Sequence, residues 1–153
     1  MELKKYILIF ICFNFTNFLN ANIIQPAKNL TPYDVVKIQL TALKNNNKSN
    51  NNDGIKQTWI FAHPENKKFT GPYERFEKMI LSNQYKILLN HASHKIKLIT
   101  NSEDTYIYNI ELITKNKKIF FYEWHLEKSI TDQCNNCWFT TIVSPPVNIG
   151  DTI

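Results

Sequence analysis

Apolar and polar residues alternate one by one from His94 onward, whereas earlier in the chain the apolar ones recur every three or four positions. Alternation puts successive side chains on opposite faces of a strand, and the longer period gathers them on one face of a helix. The runs HKIKLIT (94–100), TYIYNIELIT (105–114), KIFFYEWHLE (118–127) and CWFTTIV (137–143) therefore predict four strands. Residues 101–104 and 115–117 supply the turns between the first three. In the third run Phe120, Tyr122, Trp124 and Leu126 share one face, and Ile119, Phe121, Glu123 and His125 the other. Aromatics on both faces imply that both are covered, one by helices and the other by a lining, a pocket or a partner. Pro145-Pro146 is expected to end the last strand, leaving 148–153 as a loose tail.

The helical half opens at Thr31-Pro32-Tyr33-Asp34, where Thr31 is an N-cap, Pro32 suits the first turn and Asp34 completes a capping box. Val35, Ile38, Leu40 and Leu43 carry this helix to about Asn45. NNNKSNNND (45–53) reads as a solvated connection. Ile55, Trp59 and Ala62 mark a second helix, stopped by Pro64. Thr70-Gly71-Pro72 starts a third, whose apolar face is Phe76, Met79 and Ile80. The stretch FAHPENKKFTGPYERF (61–76) is thus a helix–turn–helix corner. Helices followed by strands make an α+β order: about three N-terminal helices on a four-stranded antiparallel sheet. Residues 31–147 form this single domain, and 22–30 an extended lead-in.

Composition sharpens three points. With 18 Lys and Arg against 13 Asp and Glu the chain is basic, but its lysines are scattered with no stripe among aromatics, which argues against nucleic acid as a partner. Arg75 is the single arginine and there are 3 glycines, so a codon bias towards Lys, Asn and Ile has left few of either. Gly71 and Arg75 both fall in the corner. The first residues, MELKKYILIFICFNFTNFLNA, have the parts of a secretory signal over 1–21: Lys4-Lys5, an apolar run, and Ala21 as the small residue at the cleavage point. The run is shorter than the roughly 20 apolar residues of a spanning helix. Export to the periplasm or beyond is expected. The alternative is a membrane tether by an uncleaved segment, because Leu19 is a poor residue two before the cleavage point.

Four constellations carry candidate chemistry. Arg75 offers a planar fork that pairs with an acid, covers a carbonyl edge, or contacts a ligand anion. Cys134 and Cys137, in an exported chain and beside a strand rather than a helix start, favour a structural disulfide. A thiol-redox pair or half a metal site are the alternatives. His91 and His94 have the spacing of ligands on a helix, yet stand where helix gives way to strand, so no metal is expected. Glu123 and His125 share a strand face and would serve as base and general acid/base if they entered a pocket.

The segments VVKIQLTALKNN, DGIKQTWIFAHPENKKFTGPYERFEKMI and YKILLNH resemble the bacterial family catalogued as domain of unknown function 4864. The most specific parts are the FAxPEN-type turn and the TGPxxRF-type helix start. That family is similar in build to the NTF2-like superfamily, so the resemblance implies a cone-shaped fold with a curved sheet. It implies no activity, because NTF2-like relatives include isomerases, dehydratases and binding or assembly modules. The function expected is therefore non-catalytic binding of a small molecule or protein partner, without cofactor. Arg75, Tyr122 and Trp124 are its candidate contacts. The alternatives are a lyase or isomerase using Glu123 and His125, and a thiol-redox or metal-site accessory using Cys134 and Cys137. A homodimer through a sheet face is a further partner reading.

Overall fold

A computed structural model describes residues 23–47, 51–130 and 134–151; the signal-like segment 1–21 lies outside them. The chain is α+β, and its described residues form four helices and a five-stranded antiparallel sheet. Helix α1 (Pro32–Lys44) begins at the expected capping box: the Asp34 N–H donates to Thr31 Oγ1, and the Thr31 N–H donates to the Asp34 carboxylate. Helix α2 (Asp53–Ile60) packs on α1 at very close range. A Cβ at Gly54 would stand 2.2 Å from the Ala42 carbonyl oxygen, so only glycine lets the two backbones approach this far. The Gln57 side chain holds the lead-in: its amide donates to the Ile24 carbonyl and accepts from the Ile24 N–H, at 2.8 and 2.7 Å.

Pro64 does more than stop a helix. The turn expected after it is a short helix, α3 (Pro64–Thr70), because proline is also a preferred first residue and His63 caps it, Nδ1 accepting the Glu65 N–H. Helix α4 (Tyr73–Leu81) follows, then one 3-10 turn (Lys86–Leu88).

The strands are β1 (Ser93–Asn101), β2 (Thr105–Ile113), β3 (Lys118–Ile130), β4 (Asn135–Val143) and β5 (Val147–Asp151). The order is β1-β2-β3, and the far side of the long β3 is shared: β4 pairs with its second half and β5 with its first. The fifth strand corrects the expectation of a loose tail. Pro145 and Pro146 interrupt the ladder because they have no N–H to give. The chain nevertheless stays beside β3, held by the Ser144 N–H on the Glu123 carbonyl and the Glu123 N–H on Ser144 Oγ, and pairing resumes at Val147 opposite Phe121.

Tyr108, Ile110 and Leu112 of β2 with Tyr122, Trp124 and Leu126 of β3 form the buried sheet face, on which Val35, Val36, Leu40 and Leu43 of α1 pack. Each large side chain buried there contributes about 1.5–3 kcal/mol. The corner between α2 and α3 docks on the outer edge of β4. The Thr140 N–H donates to the Phe61 carbonyl and the His63 N–H to the Thr140 carbonyl, both at 2.8 Å, so Ala62 forms a one-residue parallel bridge to Thr140. That bridge covers part of a strand edge that would otherwise be open to pairing.

Gly54→Ala should destabilise the fold by about 1–3 kcal/mol, because the α1 and α2 backbones must separate. Urea unfolding checks this. An unchanged midpoint would mean that the helices do not meet as closely as described.

Candidate functional site

A cavity of about 210 Å³ lies between the helices and the sheet. Its buried end is set by Gln39 of α1, Thr58 of α2, Trp124 of β3 and Thr140 of β4. Leu43, Phe76, Ile80 and Leu88 make apolar walls. Asn66, Thr70, Met79, Tyr85 and Ile142 are partly exposed and form the rim.

The buried end is a hydrogen-bond network whose polarity can be read without ambiguity. The indole N–H of Trp124 must donate and the Thr58 carbonyl must accept, so Gln39 turns Oε1 to the former (3.1 Å) and Nε2 to the latter (3.1 Å). Thr140 Oγ1 donates to Gln39 Oε1 at 2.6 Å and stands 3.1 Å from the same indole nitrogen. Thr58 Oγ1 donates back to the Gly54 carbonyl. Such a network must be satisfied, since a buried polar group left unpaired costs about 1–3 kcal/mol. Among the described residues no Asp, Glu, Lys, Arg or His lines the cavity. Its one titratable lining group is Tyr85, whose pKa burial raises and whose hydroxyl donates to the Val143 carbonyl at 3.3 Å.

The residues singled out in the sequence are dispersed. Trp124 lines the cavity. Tyr122 is buried beside it with no hydrogen-bond partner for its hydroxyl among the described residues, and burial pushes that hydroxyl above the usual tyrosine range. Arg75 is exposed on α4, off the lining. Glu123 and His125 are neighbours, carboxylate to Nε2 at 3.2 Å, but alternation places them on the face of β3 opposite Trp124. Glu123 is exposed there and opens onto a shallow groove shared with Phe121 and Pro145. Asn109 of β2 stands opposite Glu123, and Glu111, two residues on, pairs with Lys95. Cys134 and Cys137 lie at disulfide distance, Cα atoms 5.8 Å apart, where β4 begins.

His91 and His94 meet each other, and the described residues include no cluster of three or more metal-ligating side chains. The Leu88 carbonyl only accepts, so His91 Nδ1 carries the hydrogen (2.7 Å), and His94 Nδ1 must donate to His91 Nε2 (2.7 Å). Burial, ahead of repulsion by His94 and Lys44, lowers the His91 pKa to about 4. The His94 pKa is lowered too, by burial first and then by Lys44.

Sequence reasoning missed Gln39, Thr58 and Thr140. One signal was present: Gln39 stands on the same helical face as Val35 and Leu43, a polar residue inside an apolar stripe. No protein-family model matches the chain, and no curated protein or solved structure matches it.

The histidine pair predicts an acid dependence. His91 is neutral in the folded state well below its ordinary 6.5, whereas the unfolded chain takes up a proton there, so stability is full above about pH 6.5 and falls as pH drops towards about 4. His91→Gln should flatten this slope in thermal melts between pH 7 and 5. A slope equal to the wild type would show that the pair does not carry it.

Proposed function

We propose that this is a small exported binding protein that holds a small molecule, without chemistry, in the cavity between its helices and its sheet. The observation that carries the reading is the partly open cavity itself: apolar walls, one polar end, and a partly exposed rim. Binding sites of this kind are concave, mostly apolar, and fixed in orientation by a few polar groups. Catalysis gains no comparable support, because Glu123 and His125 lie across the sheet from the cavity. The order of helices before strands, with a cavity between the two layers, supports an NTF2-like cone and the resemblance to domain of unknown function 4864. Export is supported by the signal-like segment at 1–21 and by the Cys134–Cys137 pair, since disulfides persist in oxidising compartments. None of the described helices is long and apolar enough to cross a membrane.

Isopropylbenzene, an apolar probe, should bind the folded protein and shift the NMR signals of Trp124 and Leu88. Ala62→Met, which adds bulk to the lining, should abolish that binding while leaving the thermal midpoint within a few degrees of wild type. Probe binding that survives the substitution unchanged would place it elsewhere and remove the reading.

A second reading rests on the other sheet face. Ile99 and Val147 are exposed there around one groove with Phe121, between Lys97 and Glu123. A homodimer that stacks these faces would cover them. Sedimentation at micromolar concentration should then show a dimer that Val147→Lys dissociates, whereas a monomer at all concentrations ends this reading.

A further inference from the structure

We infer that the molecule held in the cavity is uncharged and presents a hydrogen-bond acceptor, such as a carbonyl oxygen, to the side-chain amide of Gln39. This rests on the cavity being a binding site, and adds the class of ligand.

The charge follows from the lining. No ionised side chain among the described residues lines the space, and an ion brought there would lose its hydration without a counter-charge. The half-buried cation of the corner, Lys67, is off the lining and committed elsewhere. Its Nζ donates to the Ile60 carbonyl at 3.2 Å and lies 5.4 Å from the centre of the Trp59 ring.

The acceptor follows from counting hydrogens at the buried end. Thr140 spends its hydroxyl hydrogen on Gln39 Oε1, and Thr58 spends its own on the Gly54 carbonyl. Trp124 divides its single indole hydrogen between Gln39 and Thr140. Gln39 Oε1 already accepts from two donors. Gln39 Nε2 carries two hydrogens, and one goes to the Thr58 carbonyl. The second has no partner among the described residues. It is the uncommitted donor of an end that is otherwise satisfied, and it calls for an oxygen or nitrogen lone pair.

Size narrows the class further. A dry apolar cavity of about 150 Å³ takes benzene, and this one measures about 210 Å³. One ring with a short acceptor-bearing substituent fits, with the acceptor inward and the apolar end towards Met79 and Ile142.

Four aromatic probes with equal numbers of heavy atoms separate these claims: acetophenone, isopropylbenzene, benzoate and benzamidinium. Titrated into the full chain by calorimetry, acetophenone should bind about three- to tenfold tighter than isopropylbenzene, the range of one neutral hydrogen bond. Benzoate and benzamidinium should bind at least about tenfold more weakly than acetophenone. Gln39→Met should bring acetophenone down to the level of isopropylbenzene; if that variant does not fold, the wild-type comparison still decides. Benzoate or benzamidinium equal to acetophenone overturns the inference on charge, and isopropylbenzene equal to it overturns the acceptor, with the cavity reading intact in both cases. Failure of all four probes on folded protein removes the cavity reading and the inference together.

Discussion

Thr140 uses every hydrogen-bonding group it has on a different part of the molecule. Its N–H and carbonyl hold the corner at Phe61 and His63, its hydroxyl hydrogen goes to Gln39 on α1, and its hydroxyl oxygen faces the Trp124 indole on β3. It is buried, so these bonds are shielded from water. The relative placement of α1, the α2–α3 corner and the sheet depends on this one residue being satisfied on all sides. Buried networks of this kind specify a unique arrangement because any other leaves polar groups stranded.

The corner then has a physical role that its composition only hinted at. Gly71 is needed because a Cβ there would stand 2.5 Å from the Lys67 carbonyl oxygen, at the junction of α3 and α4. Ala62 bridges to the strand edge, and the next helix starts two residues later at Pro64. The chain thereby turns over the end of the sheet while keeping its backbone groups paired, and α4 brings Phe76, Met79 and Ile80 over the cavity. Packing the two layers without this corner would leave the edge of β4 open at Thr140. The cavity is a consequence of the same geometry, a space between layers whose separation is fixed by polar bonds rather than by apolar collapse alone.

The far side of the sheet follows another rule. β3 is long enough to take two partners in succession, and the proline pair decides where one ends and the next begins. Ser144 bridges the gap through Glu123, so Glu123 is tied by its backbone and leaves its carboxylate outside.

Local order was legible in the residues themselves. The capping box at Thr31, the strands from β1 to β4 and the start of α4 follow from periodicity and from proline, because these are set by neighbours a few positions away. Pro64 was misread for a reason internal to the same rules, since proline both ends one helix and opens another. The strand β5 was not legible, because five exposed residues carry no burial pattern and are held only by a ladder to β3. The cavity and its network were beyond the sequence altogether. Gln39 and Thr140 are 101 positions apart, and Trp124 faces the core in either case; which polar atoms meet there is decided by how the layers pack. The sequence by itself determined α1, α2, α4 and the strands β1 to β4, with the face each one buries. Only the tertiary structure decided that Glu123 and His125 look outward while one hydrogen of Gln39 has no partner among the described residues, beside the cavity, because that depends on contacts no local pattern encodes.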